Sequence, residues 1–197
     1  MMFMARPREF DRDSALEKAT AVFWSKGFAA TSTDDLLQAM GIGRQSLYNA
    51  FGDKWQLYLE ALRTYQRNTM SGHVARLNGP ESVIAGITDL LVGLVSDDDA
   101  QRALGCMGVG SVGEFGVNDA EVVALREKIS PMLHGRLVAR IAEGQENGEI
   151  DAALDPQDAA IFVQTMMTGL QTAARAGSGA EDLHRMARFA VDRLKTK

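Results

Sequence analysis

The sequence predicts an all-α protein, with an N-terminal three-helix unit built on a helix-turn-helix and a C-terminal helical domain. Three observations carry that prediction. Apolar residues recur at helical spacing along most of the chain, and no stretch reads as a convincing strand. Helix starts and stops punctuate those stretches, as Ser or Asp before them and Gly or Pro after them. Between residues 32 and 54, the run STDDLLQAMGIGRQSLYNAFGDK places two short helices around a Gly-Ile-Gly turn.

Taken in order, residues 1–12 form an arm carrying Arg6, Arg8 and Arg12. Such an arm either lies along phosphates or in a minor groove, or is simply a solvated terminus. Asp11 or Asp13 opens the first helix, Leu16, Ala19, Val22 and Phe23 form its apolar stripe, and Gly27 ends it. Ser32, with Asp35 three residues on, has capping-box spacing and starts a second helix at Thr33. Leu36, Leu37 and Met40 give that helix its apolar face. Gly41 is the natural left-handed stop, because glycine takes positive φ without steric cost. Ile42 plugs the turn and Gly43 caps the third helix, which buries Leu47, Ala50 and Phe51. Its outer face is left with Arg44, Gln45, Ser46, Tyr48 and Asn49. All five can reach phosphates or base edges and none is acidic, which is the signature of a reading helix.

Asp53 caps a connecting helix over residues 54–70, striped with Trp55, Tyr58, Leu59, Leu62 and Tyr65. The loop Asn78-Gly79-Pro80 marks a boundary. A helix follows over residues 81–96, with Val83, Ile87, Leu90, Leu91 and Leu94. Asp97, Asp98 and Asp99 form a charged turn that caps what comes next rather than a metal site. Residues 100–116 hold five glycines, each costing a helix about 0.8–1 kcal/mol relative to alanine, so a strained or broken helix is expected there. A long helix over 119–147 contains Pro131, which should kink it near residues 129–130. Asp155 and Pro156 start the next helix, over 156–176, and a last one runs from 180 to about 194 after a glycine-containing loop.

The reading segment resembles the DNA-binding domain of the TetR/AcrR family of bacterial transcriptional repressors. The matching residues are Gly27 and Phe28, Thr31 and Ser32, Leu36, Gly41 and Ile42, Leu47 and Tyr48, Phe51, and Asp53 and Lys54. They fall in family order and spacing. Gly43 departs from the Ser or Thr often found there, and Leu37 from a small residue. The resemblance implies a DNA-binding domain over residues 1–54 and an effector-binding and dimerisation domain over 71–197. It also implies a regulator, most simply a ligand-released repressor, that binds a palindromic double-stranded operator as a homodimer. Tyr48 and Lys54 then contact phosphates, and Ser32 and Thr33 supply a hydroxyl and backbone N–H groups at a helix start, a ready anion site. Arg44, Gln45, Ser46 and Asn49 become the base readers, since Arg suits guanine and Gln or Asn suits adenine.

Composition agrees with this and excludes other classes. The chain has 197 residues, 46% hydrophobic and 24% charged, with a net charge of −5. Residues 1–67 carry +1 and the remainder −6, the asymmetry expected of an N-terminal DNA reader on an otherwise acidic protein. Cys106 is the only cysteine, so neither a disulfide framework nor a cysteine zinc site is available. No apolar run reaches the length of a membrane span and no signal-peptide core opens the chain, so a cytoplasmic protein is expected. His73, His134 and His184 are scattered, and the glycines at 105–116 follow a helix rather than a strand. No catalytic constellation, metal site or cofactor is therefore expected. The remaining rival is a helical adaptor with a vestigial reading head, against which the acid-free Arg44–Asn49 face argues.

For an effector pocket, the candidates are Cys106, Met107, Phe115, Met132, His134, Phe162 and Met166, since methionine and aromatic side chains suit an adaptable apolar site. Plain core is the alternative for each of them. His134 or Glu114 could supply a polar anchor. Cys106 is either a small buried hydrophobe or a reactive thiol, the latter if Arg102, four residues before it, lies alongside. The helix over 156–176 is apolar on more than one face. Its small residues Ala159, Ala160, Gly169, Ala173 and Ala174 would allow a partner helix to approach.

Overall fold

A computed structural model describes residues 10–196. The described residues form ten helices and no strand, with only an isolated antiparallel bridge between Ile150 and Lys195. The chain divides into two units, Met1–Arg63 and Thr64–Lys197. Arg6 and Arg8 of the N-terminal arm lie outside the described residues.

The first unit holds α1 (Arg12–Lys26), α2 (Thr33–Met40), α3 (Arg44–Phe51) and the start of α4 (Lys54–Asn78). Asp11 caps α1 by accepting from the backbone N–H groups of Asp13 and Ser14, and Gly27 stops it at φ 78°. Of the α1 stripe read from the sequence, Leu16, Ala19 and Phe23 are buried and Val22 is half-buried. Leu16, Ala19 and Phe23 of α1 meet Leu36 and Met40 of α2, Leu47 and Phe51 of α3, and Leu57, Tyr58 and Leu62 of α4. Edge-to-face rings add direction to that burial, with Phe23 on Tyr58 and Phe28 on Trp55, both at 5.1 Å.

Arg12 belongs to this framework and not to a DNA-binding arm. Its guanidinium donates both to Glu60 Oε1 and to Glu60 Oε2 at 2.7 Å, reaches the Ala50 carbonyl, and lies 4.5 Å from the centroid of the Phe51 ring. A bidentate, stacked arginine of this kind is a brace between helices.

The second unit holds the rest of α4, then α5 (Val83–Val92), α6 (Asp99–Leu104), α7 (Met107–Phe115), α8 (Ala120–Glu146), α9 (Pro156–Arg175) and α10 (Ala180–Asp192). One apolar cluster joins the end of α4 to α5, α8, α9 and α10, from Leu77, Ile87, Leu90 and Leu91 through Leu137 and Ile141 to Val163, Leu170, Ala187 and Val191. Two boundaries differ from the sequence reading. Helix α4 runs to Asn78 rather than to about Met70, because nothing before Gly79 and Pro80 forbids it and Leu77 is fully buried at its end. Helix α5 stops at Gly93, and the chain tightens there through Leu94 N–H to Leu91 O and Val95 N–H to Val92 O. The glycine-rich stretch is broken as expected: α6 ends at Gly105, φ 61°, and α7 starts after Cys106.

Candidate nucleic-acid interface

Two caps and one glycine fix the reading element. The Ser32 Oγ accepts from the Asp35 backbone N–H at 3.0 Å, and Asp35 Oδ2 accepts from the Ser32 backbone N–H at 2.9 Å, closing a reciprocal capping box on α2. Lys26 also donates to Asp35 Oδ1 at 2.7 Å. This ammonium first, then the Ser32 donors, holds the Asp35 carboxyl down at about 2. Gly41 adopts the left-handed conformation, φ 68° and ψ 31°, and its N–H closes on the Leu37 carbonyl. The chain thereby reverses into α3, whose N-cap Gly43 supplies no side-chain bond and whose first turn contains no acid.

With Leu47 and Phe51 buried, Arg44, Gln45, Tyr48 and Asn49 of α3 are exposed and Ser46 is half-buried. Tyr48 is 43% exposed, a large amount for an aromatic residue that has no role in the core. Gln45 Nε2 donates to Asn49 Oδ1 at 2.9 Å, one helical turn along, so the two amides present a joined donor–acceptor pair. Lys54 opens α4 half-buried, its ammonium 4.2 Å from the centroid of the Phe28 ring, while Asp53 Oδ1 caps the helix by accepting from the Gln56 N–H. Thr33 stands half-buried at the start of α2.

One neighbour of this face escaped the sequence reading. Asp34 Oδ1 accepts from Arg44 Nη2 at 2.7 Å, so an acid from α2 joins a face whose own helix has none. The ten residues separating them give no periodic clue. Only the angle between the helices brings them together.

The pocket candidates are more dispersed. Cys106 is half-buried and Met107 buried at the start of α7, Phe115 is half-buried at its end, and Phe162 and Met166 of α9 pack against the core. Met132 of α8 is 61% exposed. His134 of α8 is held between two glutamines of α9, with Nδ1 3.0 Å from Gln164 Oε1 and Nε2 2.8 Å from Gln157 Oε1. The Arg102 guanidinium is engaged elsewhere. Its N–H groups donate to Ser96 O, Asp97 O, Ser178 O and Asp99 Oδ1. The thiol's partner is the Tyr65 hydroxyl, which also bonds to the Met107 backbone and the Thr69 side chain. Burial first, and Cys106 second, push that phenol well above its usual range.

On α4 the sequence reading also missed two buried polar atoms. Gln66 Oε1 and His73 Nδ1 are buried without a hydrogen-bond partner. Their spacing of seven residues puts them on one helix face. Burial, with the Arg76 charge adding to it, holds the His73 imidazole at about 4, so it is neutral at pH 7. Among the described residues, no helix is long and apolar enough to cross a membrane.

Known proteins share this arrangement. The family model described as bacterial regulatory proteins, tetR family, matches residues 15–61, which span α1 to the first turns of α4. The chain is 36% identical over 152 residues to the HTH-type transcriptional regulator YezE of Bacillus subtilis, covering 74% of this chain and 78% of that one. It is 28% identical over 186 residues to the HTH-type transcriptional repressor ComR of Escherichia coli, covering 92% and 88% respectively. Among solved structures, a cysteine mutant of the TetR family transcriptional regulator CifR, complexed with a 26 bp double-strand operator DNA, superposes with a TM-score of 0.76. It is 30% identical and covers 96% of this chain and 100% of that one.

Proposed function

The chain belongs to the TetR family of bacterial regulatory proteins, and from that premise we propose that it is an operator-binding repressor that acts as a homodimer and is released by a small-molecule effector. The observation that carries the DNA-reading part is the outer face of α3. Arg44, Gln45, Tyr48 and Asn49 stand exposed on a helix whose buried side is anchored by Leu47 and Phe51. Side chains of this kind on such a helix match base edges in a major groove, while Tyr48, Lys54 and the capped start of α2 at Ser32 and Thr33 suit phosphates. The relatives carry the same reading. ComR is named a repressor and the CifR structure contains operator DNA. A DNA-reading role fits a cytoplasmic protein, and nothing in the reading requires catalysis or a cofactor.

The dimer is supported by the outward stripe of α9. Ile161, Thr165, Thr168 and Thr172 recur along one exposed face. The three threonine hydroxyls donate to carbonyls of the preceding turn, Ile161 O, Gln164 O and Thr168 O, and so turn their polarity inward. Exposed Met186 and Phe189 on α10 extend this apolar surface. Of the small residues read as a close-approach stripe, Ala159, Ala160 and Ala174 are consumed by the subunit's own core and Ala173 packs against it, which leaves Gly169 with open space in front of it.

The effector site is supported by the unpartnered polar atoms of α4. A buried polar atom without a partner costs about 1–3 kcal/mol, and two on one helix face suggest a polar ligand that donates to Gln66 Oε1 and completes the hydrogen bonding of His73 Nδ1. Tyr65, Gln66 and His73 with Cys106 and Met107 form its centre, ahead of the candidates on α8. Fluorescence anisotropy with the duplex immediately upstream of the gene and a random duplex, at two salt concentrations, tests the main reading. Tighter binding to the upstream duplex at both salts is expected. Equal affinity for both duplexes, together with a failure to enrich any sequence from a random library, would remove it.

A further inference from the structure

We propose that Asp34 is the specificity-determining partner of Arg44: it holds the guanidinium by one edge and leaves the other edge for guanine. This rests on the DNA-reading function above and adds a residue that the reading helix does not contain. The two acids in the first turn of α2 have separate tasks. Asp35 closes the capping box and binds Lys26. Asp34 takes no part in the cap, and among the described residues its carboxylate engages Arg44 alone, through one N–H at 2.7 Å. The side chains are 83% and 56% exposed, so the pair has no role in the core.

Arg44 is also where a cation would not ordinarily settle. It is the first residue of α3, at the positive end of the helix dipole, beneath a glycine N-cap and with no acid in the turn. Asp34 offsets that charge. A guanidinium carries five N–H donors in a planar fork. With one of them fixed by Asp34, the donors on the remaining edge are pre-aligned for the O6 and N7 of a guanine. The same carboxylate weakens the attraction of Arg44 for any passing phosphate. Asp34 therefore works in both directions, favouring the guanine contact and disfavouring non-specific contact. Exposed ion pairs contribute little to stability, so the effect of this one lies in orienting Arg44 and not in holding the fold.

Selection of duplexes from a random library with the full-length protein tests this, followed by anisotropy against the selected site and a random duplex. Arg44→Ala should lose the preference at one position of each half-site. Asp34→Asn should lose it at that same position and no other. It should bind random duplex several-fold more tightly with a salt slope steeper by about one unit, and lose about tenfold in the ratio of selected to random affinity. Asp34→Glu should restore the preference. Arg44→Lys, which keeps the charge but not the fork, should lose it without tighter random binding. An Asp34→Asn protein that retains the wild-type preference at the position sensitive to Arg44 overturns the proposal. So does a uniform loss over all duplexes, which would mark Asp34 as a support for the fold. A wild-type protein that enriches no sequence overturns the DNA-reading function itself.

Discussion

Lys54 and Gln45 both belong to the proposed interface, yet removing them should have different consequences. Lys54 is a point charge steadied over the Phe28 ring, and a point charge serves phosphate without reading sequence. Lys54→Ala should weaken every duplex alike and lower the salt slope by about one unit. Gln45 shares an amide pair with Asn49, and Gln45→Ala should relax base preference by about 1–3 kcal/mol at one position. Salt titrations of both variants on selected and random duplexes separate the two effects, and identical profiles would refute the division. His73 gives a second prediction at this scale. Its folded value of about 4 lies below the ordinary 6.5, so the unfolded chain binds the proton first as pH falls. The stability it supports is complete above 6.5 and is lost on acidification towards 4, by roughly 1–3 kcal/mol. Urea unfolding midpoints across that range should fall with pH in the wild type and fall less in His73→Leu. Which side chains face outward on α3 was legible in the sequence, because it follows from a local period. The partners of Arg12, Arg102 and Arg44 were not, since Glu60, Ser178 and Asp34 lie 48, 76 and 10 residues away and only packing introduces them.

Helix starts were the most legible features, for the physical reason that a cap is chemistry between near neighbours. Asp11, Ser32, Asp98 and Asp155 each accept from N–H groups two or three residues on. Helix ends and the long-range cap were harder. Glu149 accepts from the Ser82 hydroxyl and from the Val83 and Ile84 N–H groups at the start of α5, and these donors, Ser82 foremost, lower its pKa. An anion is thus placed on a helix N-terminus from more than sixty residues away. Two glycines show what a single methyl group does in different settings. At Gly41 a Cβ meets nothing within 4 Å, but φ is +68°. Gly41→Ala should therefore cost only the left-handed strain, about 1–2 kcal/mol. At Gly86 a Cβ would stand 2.3 Å from the Leu77 carbonyl oxygen, backbone that cannot swing aside. Gly86→Ala should force α5 away from the end of α4 and cost about 1–3 kcal/mol or more. Chemical denaturation of the two variants should rank Gly86→Ala as the more damaging.

At the scale of the whole molecule, a single reading helix meets only a few base pairs, too few to define one site among the competing sequences of a genome. A second copy related by a two-fold axis doubles the sequence read and fixes the half-site spacing at about one helical turn, roughly 34–36 Å. Affinity for a full operator should then depend on residues that never approach DNA. Phe189 is 54% exposed on α10, with the Arg193 guanidinium 4.7 Å from its ring centroid, and Ile161 is 54% exposed on α9. Neither is needed by the core of its own subunit, so Phe189→Glu and Ile161→Asp should leave the helix content of the chain nearly unchanged, while any fall in thermal midpoint should track the loss of the partner. A buried carboxylate in an interface is costly, however, and placing like charges on both sides of a two-fold contact compounds that cost. The double variant should sediment as a monomer and lose at least about tenfold in affinity for a full operator. Its binding to a single half-site should be unaltered, because Arg44, Gln45 and Asn49 are untouched. Sedimentation velocity and anisotropy on full-site and half-site duplexes decide the matter together. A variant that remains dimeric places the two-fold contact elsewhere on the subunit. A monomer that binds the full site as tightly as the wild type would show that one reading unit suffices.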